Sequence, residues 1–79
     1  MRLDKYLKVS RLIKRRTVAN EACDTARVSV NGRVPRASND VKVGDKISIR
    51  FGERTVSGEV GSVQDNVGKA EAAAMYREL

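Results

Sequence analysis

The segment RLIKRRT, residues 11–17, combines four cations with two adjacent large aliphatic side chains. A fully solvated segment has no physical need for paired aliphatics, and a hydrophobic core does not accommodate four unpaired cations. We therefore interpret Leu12 and Ile13 as inward-facing residues that attach this segment to the core. The cations on either side of them then project from one corner of the surface.

Helical periodicity is present on both sides of this segment. Upstream, Leu3, Tyr6 and Leu7 have the i, i+3, i+4 spacing that predicts a helix over residues 3–9, with Tyr6 half-buried. Downstream, an apolar stripe predicts a second helix over residues 16–25. The stripe comprises Val18, Ala19, Ala22, Cys23 and Ala26. Residues 11–17 therefore form the joint between two helices, and the name "joint" is kept for them below.

Strand-like signals follow the second helix. Asn31-Gly32 lies between valines and predicts a β-hairpin, because both residues tolerate positive φ. In residues 47–51 apolar and polar side chains alternate, which predicts a half-buried strand whose last residue, Phe51, belongs to the core. A further strand is predicted over residues 55–63, where Gly58 marks a bulge or a close approach of another segment.

Helical spacing returns near the C-terminus and predicts a helix from Lys69 onward. The repeating apolar positions are Ala72, Met75, Tyr76 and Leu79. We therefore predict an α+β fold, in which two N-terminal helices pack on a small, mostly antiparallel sheet and a short C-terminal helix follows. We divide the chain into one domain over residues 1–67 and a C-terminal helical extension over residues 68–79.

The composition of the 79 residues restricts the function. A chain of this length forms one small domain, so we expect no separate catalytic domain and no enzymatic activity. Histidine is absent, which excludes His-based catalysis and the common zinc sites, so we predict no catalytic residue, no metal ligand and no cofactor. The single cysteine, Cys23, lies on the apolar stripe, which predicts a packing role and a reducing, cytoplasmic setting.

The formal net charge of +6 is unevenly distributed, because residues 1–36 carry +7 and residues 37–79 carry −1. This polarity predicts a face for a polyanion, either RNA or an anionic membrane. Adjacent cations at the start of the second helix are unfavourable unless an anion such as phosphate compensates them. The first helix is too short, and too poor in Phe and Trp, to insert stably into a bilayer. RNA is therefore favoured, and no membrane partner is expected.

Duplex RNA is the form that this composition favours. The chain has two Tyr, one Phe and no Trp. A platform on which successive unpaired bases stack is therefore not expected. A compact basic corner instead suits the phosphates and 2′-hydroxyls of double-helical RNA, whose base edges are hard to reach.

Several motifs of the chain recur, in the same order, in a known family. They are RLDKYL, the basic joint, the hairpin motif RVSVNGR and the strand entry VKVGD. Together they resemble the S4 domain, the alpha-L RNA-binding module, over about residues 1–51. The joint and the closing EAAAMY are most similar to the RqcP-like ribosome quality control factors, small stand-alone members of this family. With them the resemblance extends over nearly the whole chain.

The resemblance implies a role in ribosome-associated quality control and protein biosynthesis. RqcP-like proteins bind obstructed large ribosomal subunits that carry peptidyl-tRNA, and they contact both rRNA and tRNA. They stabilise the peptidyl-tRNA while RqcH, an NFACT-family factor, directs C-terminal alanine tailing. The implied partners are therefore large-subunit rRNA, peptidyl-tRNA and RqcH, with the protein acting as a monomer.

The resemblance also implies which residues contact RNA. Carried over by position, they are the cations of the first helix, the joint and the hairpin region: Arg2, Lys5, Lys8, Arg11, Lys14, Arg15, Arg16, Arg33 and Arg36. Arg16 is expected to serve the RNA and not the core. Asp4 is also a motif position, for which a local ion pair with Arg or Lys is the simpler interpretation.

Two positions depart from the family pattern. The family usually has Ser or Thr at the position of Arg15, where it caps the second helix, and Arg cannot accept that N–H bond. It usually has Gly at the position of Ala26, so we expect the end of this helix to differ. The alternative function is a general rRNA- or tRNA-binding, ribosome-associated chaperone without a role in tailing.

Overall fold

The computed structural model describes residues 1–64 and 68–79, and within them it contains three helices and four strands. The helices are α1 (Leu3–Val9), α2 (Arg16–Asp24) and α3 (Lys69–Ala74). The strands are β1 (Val28–Val30), β2 (Lys46–Phe51), β3 (Arg54–Val60) and β4 (Tyr76–Glu78). None of the helices in these two ranges is long and apolar enough to cross a lipid bilayer.

The four strands form one antiparallel sheet in the order β1-β2-β3-β4. The central pair, β2 and β3, is joined by the two-residue turn Gly52-Glu53, in which Gly52 has φ 61°. Glycine adopts this left-handed conformation without steric cost. The predicted α+β fold, with two N-terminal helices on a small antiparallel sheet, is confirmed.

One hydrophobic core joins the first two helices to the first two strands. The sheet contributes the alternate residues Val28, Val30, Ile47 and Ile49, whereas α1 contributes Leu3, Tyr6 and Leu7, and α2 contributes Ala19, Ala22 and Cys23. Ile13 is buried and Leu12 packs against the core, so the joint is attached as predicted.

Burial raises the pKa of the Cys23 thiol to about 11, which agrees with a packing role.

Tyr6 is more deeply buried than predicted, because its ring is fully enclosed. Its hydroxyl donates a hydrogen bond of 2.7 Å to the carbonyl oxygen of Met75, from the C-terminal segment. A buried phenol needs such a partner. Tyr6 therefore links the first helix to a segment nearly 70 residues later in the sequence.

The N-terminal end of α1 is held by the loop over residues 37–41. The N–H of Leu3 donates to the carbonyl of Asn39 at 2.8 Å, and the N–H of Asp4 donates to the carbonyl of Ala37 at 3.1 Å. The N–H groups at a helix start have no partner within the helix. The loop backbone satisfies two of them here, where no side chain caps α1.

The hairpin prediction at Asn31-Gly32 is correct for the turn and wrong for the strand that follows it. Both residues have positive φ, 52° and 80°, and Val30 and Arg33 exchange two backbone hydrogen bonds across them. The pairing stops there, and Val34 is exposed. The long-range partner of β1 is β2, with Val30 opposite Ile47.

The C-terminal prediction needs a correction. The predicted helix begins at Lys69 but ends at Ala74, and Tyr76–Glu78 form strand β4 against β3. The close approach predicted at Gly58 is made by this strand, since a Cβ on Gly58 would lie 2.5 Å from the carbonyl oxygen of Arg77. The boundary between residues 67 and 68 adjoins residues outside the described ranges, and the two-part division stays a prediction.

Two large side chains predicted to lie in the core lie on the surface. Phe51 is 44% exposed and Val18 is 49% exposed. Phe51 continues the buried row of Ile47 and Ile49, but it is the last residue of β2, at the turn. The periodicity of a strand identifies its face, whereas coverage of that face depends on where the helices end.

Helix α2 ends at a left-handed alanine. Ala26 has φ 59°, its N–H donates to the carbonyl of Cys23, and the N–H of Arg27 donates to the carbonyl of Ala22 at 2.9 Å. These two bonds define the Schellman motif, in which glycine is usual. The departure at Ala26 therefore leaves the geometry of the helix end unchanged, at a steric cost of roughly 1 kcal/mol.

The substitution Ala26→Gly should raise the free energy of unfolding by roughly 1 kcal/mol, because glycine relieves the left-handed strain. For a domain of this size, the melting temperature should rise by about 4–8 °C. Ala73→Gly, at an exposed position inside α3, is the matched control and should instead lower stability by about 0.5–1 kcal/mol. Thermal unfolding followed by circular dichroism measures both. Equal effects of the two substitutions would contradict the assigned strain.

Candidate nucleic-acid interface

The side chain of Asp4 is the centre of a polar cluster between the first two helices. It is only 3% exposed, yet its carboxylate accepts hydrogen bonds from three side chains and one backbone N–H. Arg2 donates from both Nε and a terminal guanidinium nitrogen, at 3.2 and 3.3 Å, and Arg16 donates from Nε at 3.3 Å. Asn20 donates at 3.4 Å and the N–H of Lys5 at 2.8 Å. The name "Asp4 cluster" is used below for Asp4, Arg2, Arg16 and Asn20.

The ionisation of Asp4 is determined by two opposing effects. Burial alone would raise the pKa of the carboxyl, because it disfavours the charged form. The hydrogen bonds from Arg2, Arg16 and the Lys5 N–H, together with the positive charge of Arg16, outweigh burial and hold the pKa below its usual value. Asp4 is therefore a carboxylate at neutral pH, and it balances part of the charge of two arginines.

The two arginines of the Asp4 cluster are held on one side and open to solvent on the other. Their side chains are 52% exposed for Arg2 and 49% exposed for Arg16. A shallow depression lined by Asp4, Arg16, Thr17 and Asn20 lies beside them. Guanidinium groups with fixed orientation and free N–H donors suit the oxygens of a phosphate.

The expectation that Arg16 serves only the RNA is incomplete. Its Nε is bound to the buried Asp4, so part of its charge is compensated inside the molecule. Sequence reasoning assigned that compensation to an external anion alone. The interpretation of Asp4 as a local ion-pair partner is confirmed.

Arg33 and Arg36 lie in the connection after β1, in different surroundings. The carbonyl oxygen of Ala37, the residue after Arg36, accepts a hydrogen bond from the N–H of Asp4. The backbone beside Arg36 therefore lies next to the Asp4 cluster. Arg33 lines a separate, polar groove that also contains the carboxylates of Asp40 and Asp45. Both arginines are exposed.

The cations of the joint are exposed and lie beyond the first helix. Arg11 has φ 64° and ends α1 in the left-handed conformation, which is uncommon for a residue with a side chain. Arg15 occupies the N-cap position of α2, and no side-chain hydrogen bond caps this helix within the described residues. Lys14 and Arg15 are both exposed. The expected lack of a side-chain cap is therefore confirmed.

The lysines of α1 are placed differently from each other. Lys8 is exposed in the last turn, where the partial negative charge of the helix end favours a cation. Lys5 is half-buried, and its backbone N–H belongs to the hydrogen bonds of Asp4. The structure thus brings Arg2 and Arg16 together, whereas Lys8 lies at the opposite end of α1.

Comparison with known proteins identifies the family. The family model described as S4 domain matches residues 1–47. The chain belongs to the S4 domain family. This match covers the two helices, the joint and β1, which are the elements that position the Asp4 cluster.

Individual relatives of this S4 domain protein are similar over all or nearly all of its length. It is 55% identical over 79 residues to the RQC P-site tRNA stabilizing factor of Bacillus subtilis, covering 100% of this chain and 92% of that protein. It is 54% identical over 76 residues to the factor of the same name from Halalkalibacterium halodurans, covering 96% of this chain and 86% of that protein. Among solved structures, trimeric Vibrio cholerae heat shock protein 15 is similar with a TM-score of 0.92 and 31% identity, covering 100% of this chain and 81% of that one.

Sequence reasoning missed several polar groups of this S4 domain. Asn20 lies four residues after Arg16, on the same face of α2, and this spacing was the available signal. Arg27, Arg50 and Arg54 come from two distant parts of the chain, and they line grooves on another side of the molecule. Arg27 and Arg50 are adjacent, and no local pattern in the sequence indicates this.

The S4 domain should lose stability in acid through Asp4. A carboxyl whose pKa is lowered by folding contributes stability above its unfolded pKa of about 3.9, and this contribution is lost as the pH falls through the folded value. The free energy of unfolding should therefore fall below about pH 4 more steeply for the wild type than for Asp4→Asn. Urea unfolding measured at several pH values tests this.

The control for this measurement is Glu53→Gln, at the exposed β2–β3 turn. It removes one negative charge, as Asp4→Asn does, but it leaves the Asp4 cluster intact. It should follow the wild-type curve. If the acid-dependent loss of Asp4→Asn equalled that of Glu53→Gln, Asp4 would not be the group responsible.

Proposed function

We propose that this protein is an RNA-binding component of ribosome-associated quality control. In this proposal it binds obstructed large ribosomal subunits and stabilises peptidyl-tRNA while the NFACT-family factor RqcH directs C-terminal alanine tailing. Its relatives at 54–55% identity are named as P-site tRNA stabilizing factors, which supports this role. In this proposal the protein acts in the cytoplasm as a monomer.

The observation that carries the proposal is the Asp4 cluster. A flexible surface arginine loses side-chain entropy when it binds a phosphate, at a cost of about 0.5–1.5 kcal/mol. Asp4 holds the guanidinium groups of Arg2 and Arg16 before any ligand arrives. Two oriented guanidiniums therefore bind RNA phosphates with less loss of freedom than solvated side chains would.

The ligand that this arrangement suits is the backbone of double-helical RNA. Arg2 and Arg16 are side by side on one compact surface, with Asn20 as a neutral hydrogen-bonding neighbour. Such a surface recognises the spacing of phosphates and the 2′-hydroxyls of duplex RNA, without reading base edges. We assign large-subunit rRNA to this surface. The remaining site residues proposed from the sequence add positive charge that attracts RNA, and most of them lie outside this surface: Lys5, Lys8, Arg11, Lys14, Arg15, Arg33 and Arg36.

The function in this proposal is positioning. A tRNA on a large subunit lacks the contacts that the small subunit makes, so a factor that binds both rRNA and tRNA reduces the freedom of the tRNA. The alternative is a general rRNA- or tRNA-binding chaperone without a role in tailing. Its support is the close structural similarity to heat shock protein 15.

The variant Arg16→Gln should bind large subunits roughly 10- to 150-fold more weakly, the range expected for one lost hydrogen bond to a charged group. It should still fold, because Asp4 keeps its bonds from Arg2, Asn20 and the Lys5 N–H. Co-sedimentation with large subunits carrying peptidyl-tRNA measures the binding. In a deletion strain that expresses this variant, alanine tails on stalled chains should be reduced.

The matched control is Arg77→Gln, on β4. It lowers the net charge equally and removes only an exposed ion pair with Glu59. It should keep nearly wild-type binding and tailing. Equal losses in both variants would show that binding follows net charge and not the Asp4 cluster. Weak binding with normal tails in the deletion strain would favour the chaperone alternative.

A further inference from the structure

Two adjoining grooves lie beside the joint: the first is between α2 and β2, and the second is between the joint, the β2–β3 hairpin and β4. The first, of about 320 Å³, is lined by residues that include Val18, Ile49 and Phe51, and the second, of about 450 Å³, includes Val56 and Tyr76. Leu12 and Phe51 line both. These two side chains therefore separate the grooves, and there is open space on both sides of them.

Phe51 is exposed because of its place at the end of β2. It pairs with Arg54 across the Gly52-Glu53 turn, two residues beyond the pair Ile49–Val56 and on the same face of the strand. Ile49 is fully covered, whereas Phe51 is 44% exposed. Val18, which is 49% exposed, lines the same groove, so Phe51 belongs to an exposed apolar patch of the kind that marks interaction sites.

Five cations line the two grooves: Lys14, Arg27 and Arg50 in the first, and Arg11 and Arg54 in the second. The only carboxylates that the described residues contribute are those of Glu21 and Glu78. None of the five cations forms an ion pair with a carboxylate of residues 1–64 or 68–79. The N–H of Arg50 donates to the carbonyl of Arg27 at 2.8 Å, so two of these arginines are adjacent.

The first groove and the Asp4 cluster lie on opposite sides of α2. Arg16 and Asn20 face Asp4, whereas Val18 and Ala22 line the first groove. Because successive residues of an α-helix are about 100° apart, the two pairs are separated by about half a turn. A ligand in the grooves therefore leaves the Asp4 cluster accessible to a second one.

We propose that this surface binds an RNA strand, with an unpaired base stacked against Phe51 and its flanking phosphates held by Arg27, Arg50 and Arg54. The inference rests on the proposed function and deepens it. A factor that positions a tRNA against rRNA needs two RNA-binding surfaces, and α2 separates two basic ones. The Asp4 cluster takes duplex backbone, and the Phe51 surface takes unpaired nucleotides.

Charge and shape favour RNA over an acidic helical peptide as the ligand. Four of the five cations are arginines, whose planar guanidinium groups form bidentate hydrogen bonds with phosphates and stack on bases. Unpaired bases stack on exposed aromatic rings that have open space beside them and arginines nearby to bind the phosphates. One aromatic residue accommodates one base, which is consistent with the lack of an extended stacking platform.

The chain contains a single Phe, so 4-fluorophenylalanine places one fluorine reporter at Phe51. The probes are an RNA stem with an unpaired loop and the same stem closed as a blunt duplex. The loop probe should shift the fluorine resonance, and the duplex should not. The wild type should bind the loop probe more tightly than the duplex by roughly 5- to 150-fold, the range for stacking of one base.

Two substitutions at Phe51 separate stacking from simple apolar contact. Phe51→Leu keeps apolar bulk and should remove the preference for the loop, whereas Phe51→Trp keeps a ring and should retain it. Arg16→Gln should weaken both probes and leave their ratio unchanged. Both variants of Phe51 are at an exposed position, and circular dichroism checks their folding.

The inference is overturned if Phe51→Leu keeps the wild-type preference, or if both probes shift the fluorine resonance equally. It is also overturned if a Glu-rich amphipathic helical peptide shifts the resonance and the loop RNA does not compete. In these cases RNA binding through the Asp4 cluster would be unaffected. If the proposed function were wrong, the wild-type protein itself would not bind large ribosomal subunits.

Discussion

A buried carboxylate between two helices must be matched by hydrogen bonds and positive charge. In this S4 domain the first two helices are arranged so that they provide both to Asp4. Asp4 receives donors from α1, from the residue before α1 and from α2. The same bonds that stabilise its charge fix the angle at which α2 presents Arg16. The orientation of the proposed RNA-binding surface, and part of the stability of the fold, therefore depend on one interaction.

The backbone around Asp4 gives this interaction its precision. The loop over residues 37–41 occupies the free N–H groups at the start of α1, and Tyr6 binds α1 to the carbonyl of Met75. The strand β4 then closes the sheet against Gly58. Segments that are far apart in the sequence thus hold α1 from several sides, so its first turn is a rigid support for a charged cluster.

The sequence predicts those features whose causes are local. Apolar spacing identifies both N-terminal helices, and the Asn31-Gly32 turn follows from the conformational freedom of its two residues. The exposure of Phe51 and the strand at Tyr76–Glu78 could not be predicted in this way, because they depend on where the helices end and which segments pair. The Asp4 cluster was predictable in part, since the ion pair is local for Arg2 but crosses the joint for Arg16. The adjacency of Arg27 and Arg50 depends entirely on the pairing of β1 with β2.

The most direct test of this account is the affinity of Asp4→Asn for large ribosomal subunits, measured at constant salt with folding checked by circular dichroism. This substitution raises the net charge of the protein by one unit, so electrostatic attraction alone would tighten binding to RNA. We predict weaker binding, by roughly 5- to 150-fold, because the side chains of Arg2 and Arg16 lose the carboxylate that orders them. Equal or tighter binding by a folded Asp4→Asn variant would contradict the claim that Asp4 organises the RNA-binding surface.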